Sequence, residues 1–231
     1  MSIAENIAQV RANIAQACAQ TGRSPEEITL VGASKMNDAA ACREAIAAGI
    51  DALGENRVQE MTAKLADNAY DGAPLHFIGH LQRNKVKQVV GKVALIQSVG
   101  STELLEEIEK VAAKEQLVQD ILLEVNICRE EAKSGFDPDA VTAAAEAALA
   151  LPHVRVRGLM TIPPADADRD ANMRYFQEVQ ALYVDINTKL FHNELKCLSM
   201  GMSGDYMDAI RCGATMVRVG TAIFGARNYN I

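Results

Sequence analysis

Five short stretches hold most of the residues able to do chemistry. The first, Ile28-Thr-Leu-Val-Gly-Ala-Ser-Lys35, is an apolar run that ends on a lysine, and a lysine amine held at a protein site can form a Schiff base with a carbonyl compound. Ser199-Met-Gly-Met-Ser203 and Arg218-Val-Gly-Thr221 bring small residues, hydroxyls and one arginine. Gly201, Gly204 and Gly220 allow close backbone approach, and Ser199, Ser203 and Thr221 add hydroxyl hydrogen bonds. That mixture holds a phosphate without a lysine cluster. Gly54-Glu-Asn-Arg57 and His80-Leu-Gln-Arg-Asn-Lys85 supply amides, cations and a histidine, which either touches a ligand or fills a structural role. Each has a plainer alternative: Lys35 as a solubilising loop lysine, Ser203 as a helix cap, Met200 and Met202 as fillers of core gaps.

Chemistry needs these stretches in one place, so the elements between them matter. From Ser2 to Gln20, Ile3, Ile7, Val10, Ile14 and Ala17 recur at helical spacing, and Ser24-Pro-Glu-Glu27 is a capping-box signature. After that, strand-like and helical runs alternate. The expected strands are Ile28 to Ala33, Asp51 to Gly54, Leu75 to Gly79, Val93 to Ile96, Asp120 to Ile127, Val154 to Met160, Leu195 to Ser199 and Met216 to Val219. Helices are expected between them. These include Ala39 to Ala48, capped by Asn37-Asp38 and ended at Gly49, then Leu81 to Val90, an alanine-rich helix opened by Asp137-Pro138, and Arg169 to Phe191.

Eight β-then-α units in 231 residues are the pattern of a single α/β domain, a (β/α)8 TIM barrel spanning residues 1–231. An open doubly wound sheet is the competing arrangement. In a barrel, ligands bind at the carboxyl ends of the strands, where all five stretches fall.

Composition narrows the function classes. With 49% hydrophobic and 23% charged residues the chain reads as an ordinary soluble globular protein. A formal charge of −7 argues against nucleic acid, because phosphate-backbone binding needs a basic face. Cys18, Cys42, Cys128, Cys197 and Cys212 are odd in number and show no metal-ligand spacing, so no metal is expected and the thiols read as reduced and cytoplasmic. Neither a signal peptide nor a membrane span is expected.

A lysine after the first strand, facing a phosphate site after the seventh and eighth, points to a phosphorylated carbonyl compound bound as a Schiff base. Pyridoxal 5′-phosphate (PLP) is the leading candidate, and a sugar phosphate the distant one. Arg218, aimed at a pyridine nitrogen, would keep that nitrogen unprotonated because two cations in contact repel.

The segments Val31-Gly-Ala-Ser-Lys35, Leu53-Gly-Glu-Asn56 with Val58-Gln-Glu60, His76-Phe-Ile-Gly-His-Leu-Gln82 with Asn84-Lys85, Gly158-Leu-Met160, Leu198-Ser-Met-Gly-Met-Ser203 and Val217-Arg-Val-Gly-Thr-Ala-Ile-Phe-Gly225 together resemble the PLP homeostasis protein family. This family is similar to the amino-terminal domain of alanine racemase. The resemblance implies a covalent PLP aldimine on Lys35, Arg218 at the pyridine nitrogen, Asn56 reaching the cofactor, and Ser199, Ser203, Gly220 and Thr221 around the phosphate, with Met200 and Gly201 from the same loop counted among the cofactor-binding residues. It implies a protein that buffers, delivers or regulates PLP, with PLP-dependent apo-enzymes as partners, rather than a catalyst.

An amino-acid racemase is the alternative, and it needs a second base opposite the lysine. None of Tyr70, Tyr175, Tyr183, Tyr206 or Tyr229 stands in a matching context, and a monomer is the expected state.

Overall fold

The computed structural model describes residues 2–130, 133–164 and 166–225. It opens with Ile3–Ala19 (α1), where the Ser2 hydroxyl accepts the Glu5 N–H and the Glu5 carboxylate accepts the Ser2 N–H. Ile7, Val10, Ile14 and Ala17 form its buried stripe. A 3-10 turn, Pro25–Glu27, then leads into alternating elements. These are Thr29–Ala33 (β1), Ala39–Ala47 (α2), Ala52–Glu55 (β2), Val58–Ala66 (α3), Leu75–Phe77 (β3), a 3-10 segment Arg83–Gln88, Leu95–Val99 (β4), Thr102–Lys114 (α4) and Gln119–Val125 (β5). Val141–Leu149 (α5), Val154–Thr161 (β6), Arg169–Leu190 (α6), Cys197–Ser199 (β7), Tyr206–Arg211 (α7), Met216–Val219 (β8) and Thr221–Phe224 (α8) complete the order.

All strand pairings are parallel, and β1 bonds both β2 and β8, which closes the barrel in sequence order. The open sheet is thereby excluded. Inside, Val31, Ala52, Leu95, Leu122, Met160 and Met216 form the apolar fill. Outside, the larger core lies between strands and helices, so both strand faces are buried and simple alternation disappears. Val31 is in register with Ala52 on one side and Arg218 on the other, which brings these side chains into the barrel at one level.

Several boundaries differ from expectation for identifiable reasons. β4 begins at Leu95 and continues through Gln97 and Ser98, polar residues that hydrogen-bond within the protein and so break the apolar pattern. β7 starts at Cys197 because the backbone N–H and carbonyl of Leu195 are taken by the Asn187 side chain. The Leu81 to Val90 stretch forms only the 3-10 segment. Its β-branched Val86, Val89 and Val90 are poor helix formers, yet all three are buried. The alanine-rich helix begins at Val141, after a turn in which Asp137 O accepts both the Ala140 and Val141 N–H groups. No described helix is long and apolar enough to cross a membrane.

Candidate functional site

Beyond β1 the chain turns at Lys35 and Met36, and Met36 adopts a left-handed backbone with φ 62°. Lys35 is half-buried and lines a cavity of about 250 Å3 at the carboxyl end of the barrel. That is smaller than the about 300–1,000 Å3 of drug-sized sites, a scale that suits one small aromatic phosphate. Asn56, Ser203, Arg218, Gly220 and Thr221 line the same cavity, so six of the nine expected residues meet there.

Asn56 follows β2, and its Oδ1 is buried with no hydrogen-bond partner, an acceptor aimed at something the protein itself does not supply. Its placement depends on Gly79, where any Cβ would fall 2.2 Å from the Asn56 carbonyl oxygen. On the opposite wall, the Ser203 hydroxyl accepts the N–H groups of Gly220 at 3.1 Å and Ala222 at 3.3 Å. Ser203 therefore does not cap α7. It occupies the donors at the start of α8, the kind of backbone N–H cluster that binds phosphate.

Arg218 is 3% exposed. Its guanidinium donates to the Thr161 carbonyl at 2.8 Å and to the Ser199 hydroxyl, while its own N–H bonds the Gly201 carbonyl at 3.0 Å. Burial pulls its pKa down to about 10, against Glu124 and Asp205, which raise it, so it is a cation at neutral pH. Neither carboxylate lines the cavity.

Ser199, Met200 and Gly201, also expected among the cofactor-binding residues, are not part of the lining of this cavity. The Ser199 hydroxyl turns inward, accepting from Arg218 and donating to Gln97 Oε1 at 2.7 Å. Met200 is fully buried in the outer core. Gly201, at φ 94°, allows α7 to approach: a Cβ there would lie 2.6 Å from Ala209 Cβ.

Sequence reasoning did not single out the cavity walls Ala33, Ile78 and Ile162. Ile78 and Ile162 lie just beyond β3 and β6, and that position was the available signal. His80 is exposed and lines adjoining clefts with Lys133 and Ser134 rather than this cavity. Tyr70, Tyr183 and Tyr206 are engaged elsewhere, through Glu55, the Leu195 carbonyl and Asn13, and no described tyrosine lines the cavity. Tyr229 lies outside the described residues.

The fold and site define a class: a closed parallel barrel in which a lysine after the first strand and a glycine–threonine turn after the last line one cavity. The family model described as alanine racemase, N-terminal domain, matches residues 6–228. Curated relatives include a pyridoxal phosphate homeostasis protein of Aquifex aeolicus, 42% identical over 99% of this chain and 100% of its own length, and one of Escherichia coli strain K12, 38% identical over 99% and 98%. The chain belongs to the alanine racemase N-terminal domain family and, within it, to the pyridoxal phosphate homeostasis proteins.

Among solved structures, PipY of Synechococcus elongatus with PLP bound superposes with a TM-score of 0.85 at 33% identity, covering 97% of this chain and 100% of that one. Alanine racemase of Clostridium difficile 630 shares the fold, with a TM-score of 0.73 at 17% identity, and 58% of its chain is covered.

Proposed function

We propose that this protein binds PLP in the Lys35 cavity as a Schiff base on the lysine and serves intracellular PLP homeostasis by buffering, delivering or regulating the cofactor. The observation that carries this reading is the convergence of Lys35, the unpartnered Asn56 carbonyl, buried Arg218 and the Gly220–Thr221 cradle on one small cavity. A relative with PLP bound and homologues named for PLP homeostasis support it. The proposed setting is cytoplasmic, the proposed state a monomeric single domain, and the proposed acceptors PLP-dependent apo-enzymes.

PLP supplies an aldehyde for an amine and a conjugated ring that can take up electrons. Lys35 provides the amine. Ser203, Gly220 and Thr221 would hold the PLP phosphate and so orient the ring. Arg218, a buried cation in the same cavity, would face the ring nitrogen and keep it unprotonated, a weaker electron sink that suits holding the cofactor.

The deciding experiment records the absorption spectrum with PLP before and after borohydride, maps the reduced peptide and assays amino-acid racemisation on the same sample. A yellow band fixed onto Lys35 without turnover is expected. An adduct with robust turnover would instead establish an enzyme, and no chromophore after PLP addition would end the cofactor reading.

A further inference from the structure

Outside the cavity, behind the β1 end, lies a buried polar cluster that the proposed chemistry does not use. Lys64 Nζ from α3 lies 2.7 Å from Glu55 Oε1 and 2.8 Å from the Ser34 carbonyl. The same Glu55 oxygen accepts the Ser34 hydroxyl at 2.6 Å and the Tyr70 hydroxyl at 3.0 Å, while Oε2 has no partner. All four residues are buried.

Ser34 immediately precedes Lys35, and its neighbours hold it at three points. Its N–H bonds the Gly54 carbonyl at 3.0 Å, its hydroxyl bonds Glu55, and its carbonyl receives Lys64. On the other side of Lys35, the N–H of left-handed Met36 is held by Glu60 Oε2 at 2.8 Å, and the Lys35 carbonyl accepts Asn37 Nδ2 at 3.1 Å. Glu60 and Lys64 are four residues apart on α3, so they share one helix face.

A buried ion pair is weak evidence of stabilisation, since well-packed apolar groups often serve a fold equally well. An apolar residue at position 64 could not donate to the Ser34 carbonyl. A left-handed conformation at a methionine is also unfavourable without local support. Both features lie on the peptide units flanking one lysine.

We propose that Lys64, together with Glu55 and Glu60, is a positioning device that clamps the backbone on either side of Lys35 and presents its amine to the cavity before any cofactor arrives. Lys64 is a positioning residue here and not an attachment site, because its ammonium lies outside the cavity, bonded to Ser34 and Glu55. The inference rests on the reading of Lys35 as the PLP lysine.

The test compares the cofactor-free wild type with Lys64→Met, Lys64→Arg, Glu60→Ala and the double variant Glu55→Leu/Lys64→Met. Amide hydrogen exchange is measured over residues 34–37, then the rate of borohydride-trappable adduct formation with PLP. The double variant also leaves the Ser34 and Tyr70 hydroxyls without their acceptor, so it is expected to fold at lower denaturant stability, with exchange over residues 34–37 faster than that loss accounts for and adduct formation slower by about tenfold, the scale of one lost charge-assisted hydrogen bond. Lys64→Arg should recover part of the loss, and Glu60→Ala should speed exchange at Met36.

Unchanged exchange and unchanged adduct rate in a folded double variant would overturn the proposal. Should the double variant fail to fold, Glu60→Ala alone decides, and unchanged Met36 exchange and adduct rate in it overturn the clamp. A wild type that forms no adduct would refute the PLP reading, while the cofactor-free exchange data still judge the clamp.

Discussion

Arg218 donates to the Ser199 hydroxyl, and this contact orders a chain of hydrogen bonds through the barrel. Ser199 in turn donates to Gln97 Oε1, and Gln97 Nε2 lies 2.9 Å from His76 Nδ1. With Gln97 Nε2 as donor, Nδ1 accepts, the arrangement of a neutral His76 that carries its proton on Nε2. A hydrogen-bond chain thus runs from Arg218 on β8 to His76 on β3, three strands away around the closed barrel.

Ser199→Ala removes an acceptor from a buried guanidinium. Loss of about 1.5–3 kcal/mol in the cofactor-free protein is expected, the usual worth of a hydrogen bond to a charged group. Urea unfolding at neutral pH measures it, and a change under about 0.5 kcal/mol, the range of ordinary surface substitutions, would show that Arg218 finds another acceptor.

Burial pushes His76 down to about 4. Above pH 6.5 the histidine is neutral in both folded and unfolded chains and contributes no pH dependence. As pH falls from 6.5 toward 4 the unfolded chain takes up a proton that the folded one refuses, so stability declines, by a total on the order of 3 kcal/mol. Melting temperatures from pH 7.5 to 4.5 should fall less steeply in His76→Gln than in the wild type, and parallel curves would refute the assignment.

Lys35→Ala should abolish the borohydride-fixed adduct while far-UV circular dichroism stays that of the wild type, because the side chain is half-buried at a strand end and lines a cavity. Retention of a reduced cofactor would move the attachment to another lysine.

Thr221→Ala is expected to weaken PLP retention by about 2- to 10-fold, the worth of one hydroxyl hydrogen bond. Equilibrium dialysis measures it, and an unchanged affinity would remove Thr221 from the site.

Asn56→Ala should separate binding from folding. Its Oδ1 is buried without a partner, so removing it leaves cofactor-free stability unchanged or higher while PLP affinity drops. Lower stability combined with unchanged affinity would make Asn56 a structural residue.

The order of strands and helices was legible because each element carries its own apolar pattern and punctuation. Ser2, Asp38 and Ser101 cap the helices that their neighbours predict. Lys35 and the Arg218–Thr221 stretch were equally legible, since a strand end in a parallel barrel has one functional side. Those features are local, and a short run of residues is enough to encode them.

Tertiary structure alone decided which way Ser199 turns, what Gln97 meets and why Lys64 is buried. Ser199 and Gln97 stand 102 positions apart in the chain and meet only because the sheet closes with this register. Glu55 and Lys64 lie nine positions apart and meet only because β2 and α3 pack and leave them facing each other beside Ser34. The sequence by itself determined the elements and the lysine they deliver, because propensity and periodicity act over a few residues. Barrel closure determined the polar contacts behind the site, because a hydrogen bond depends on positions in space that no single segment specifies.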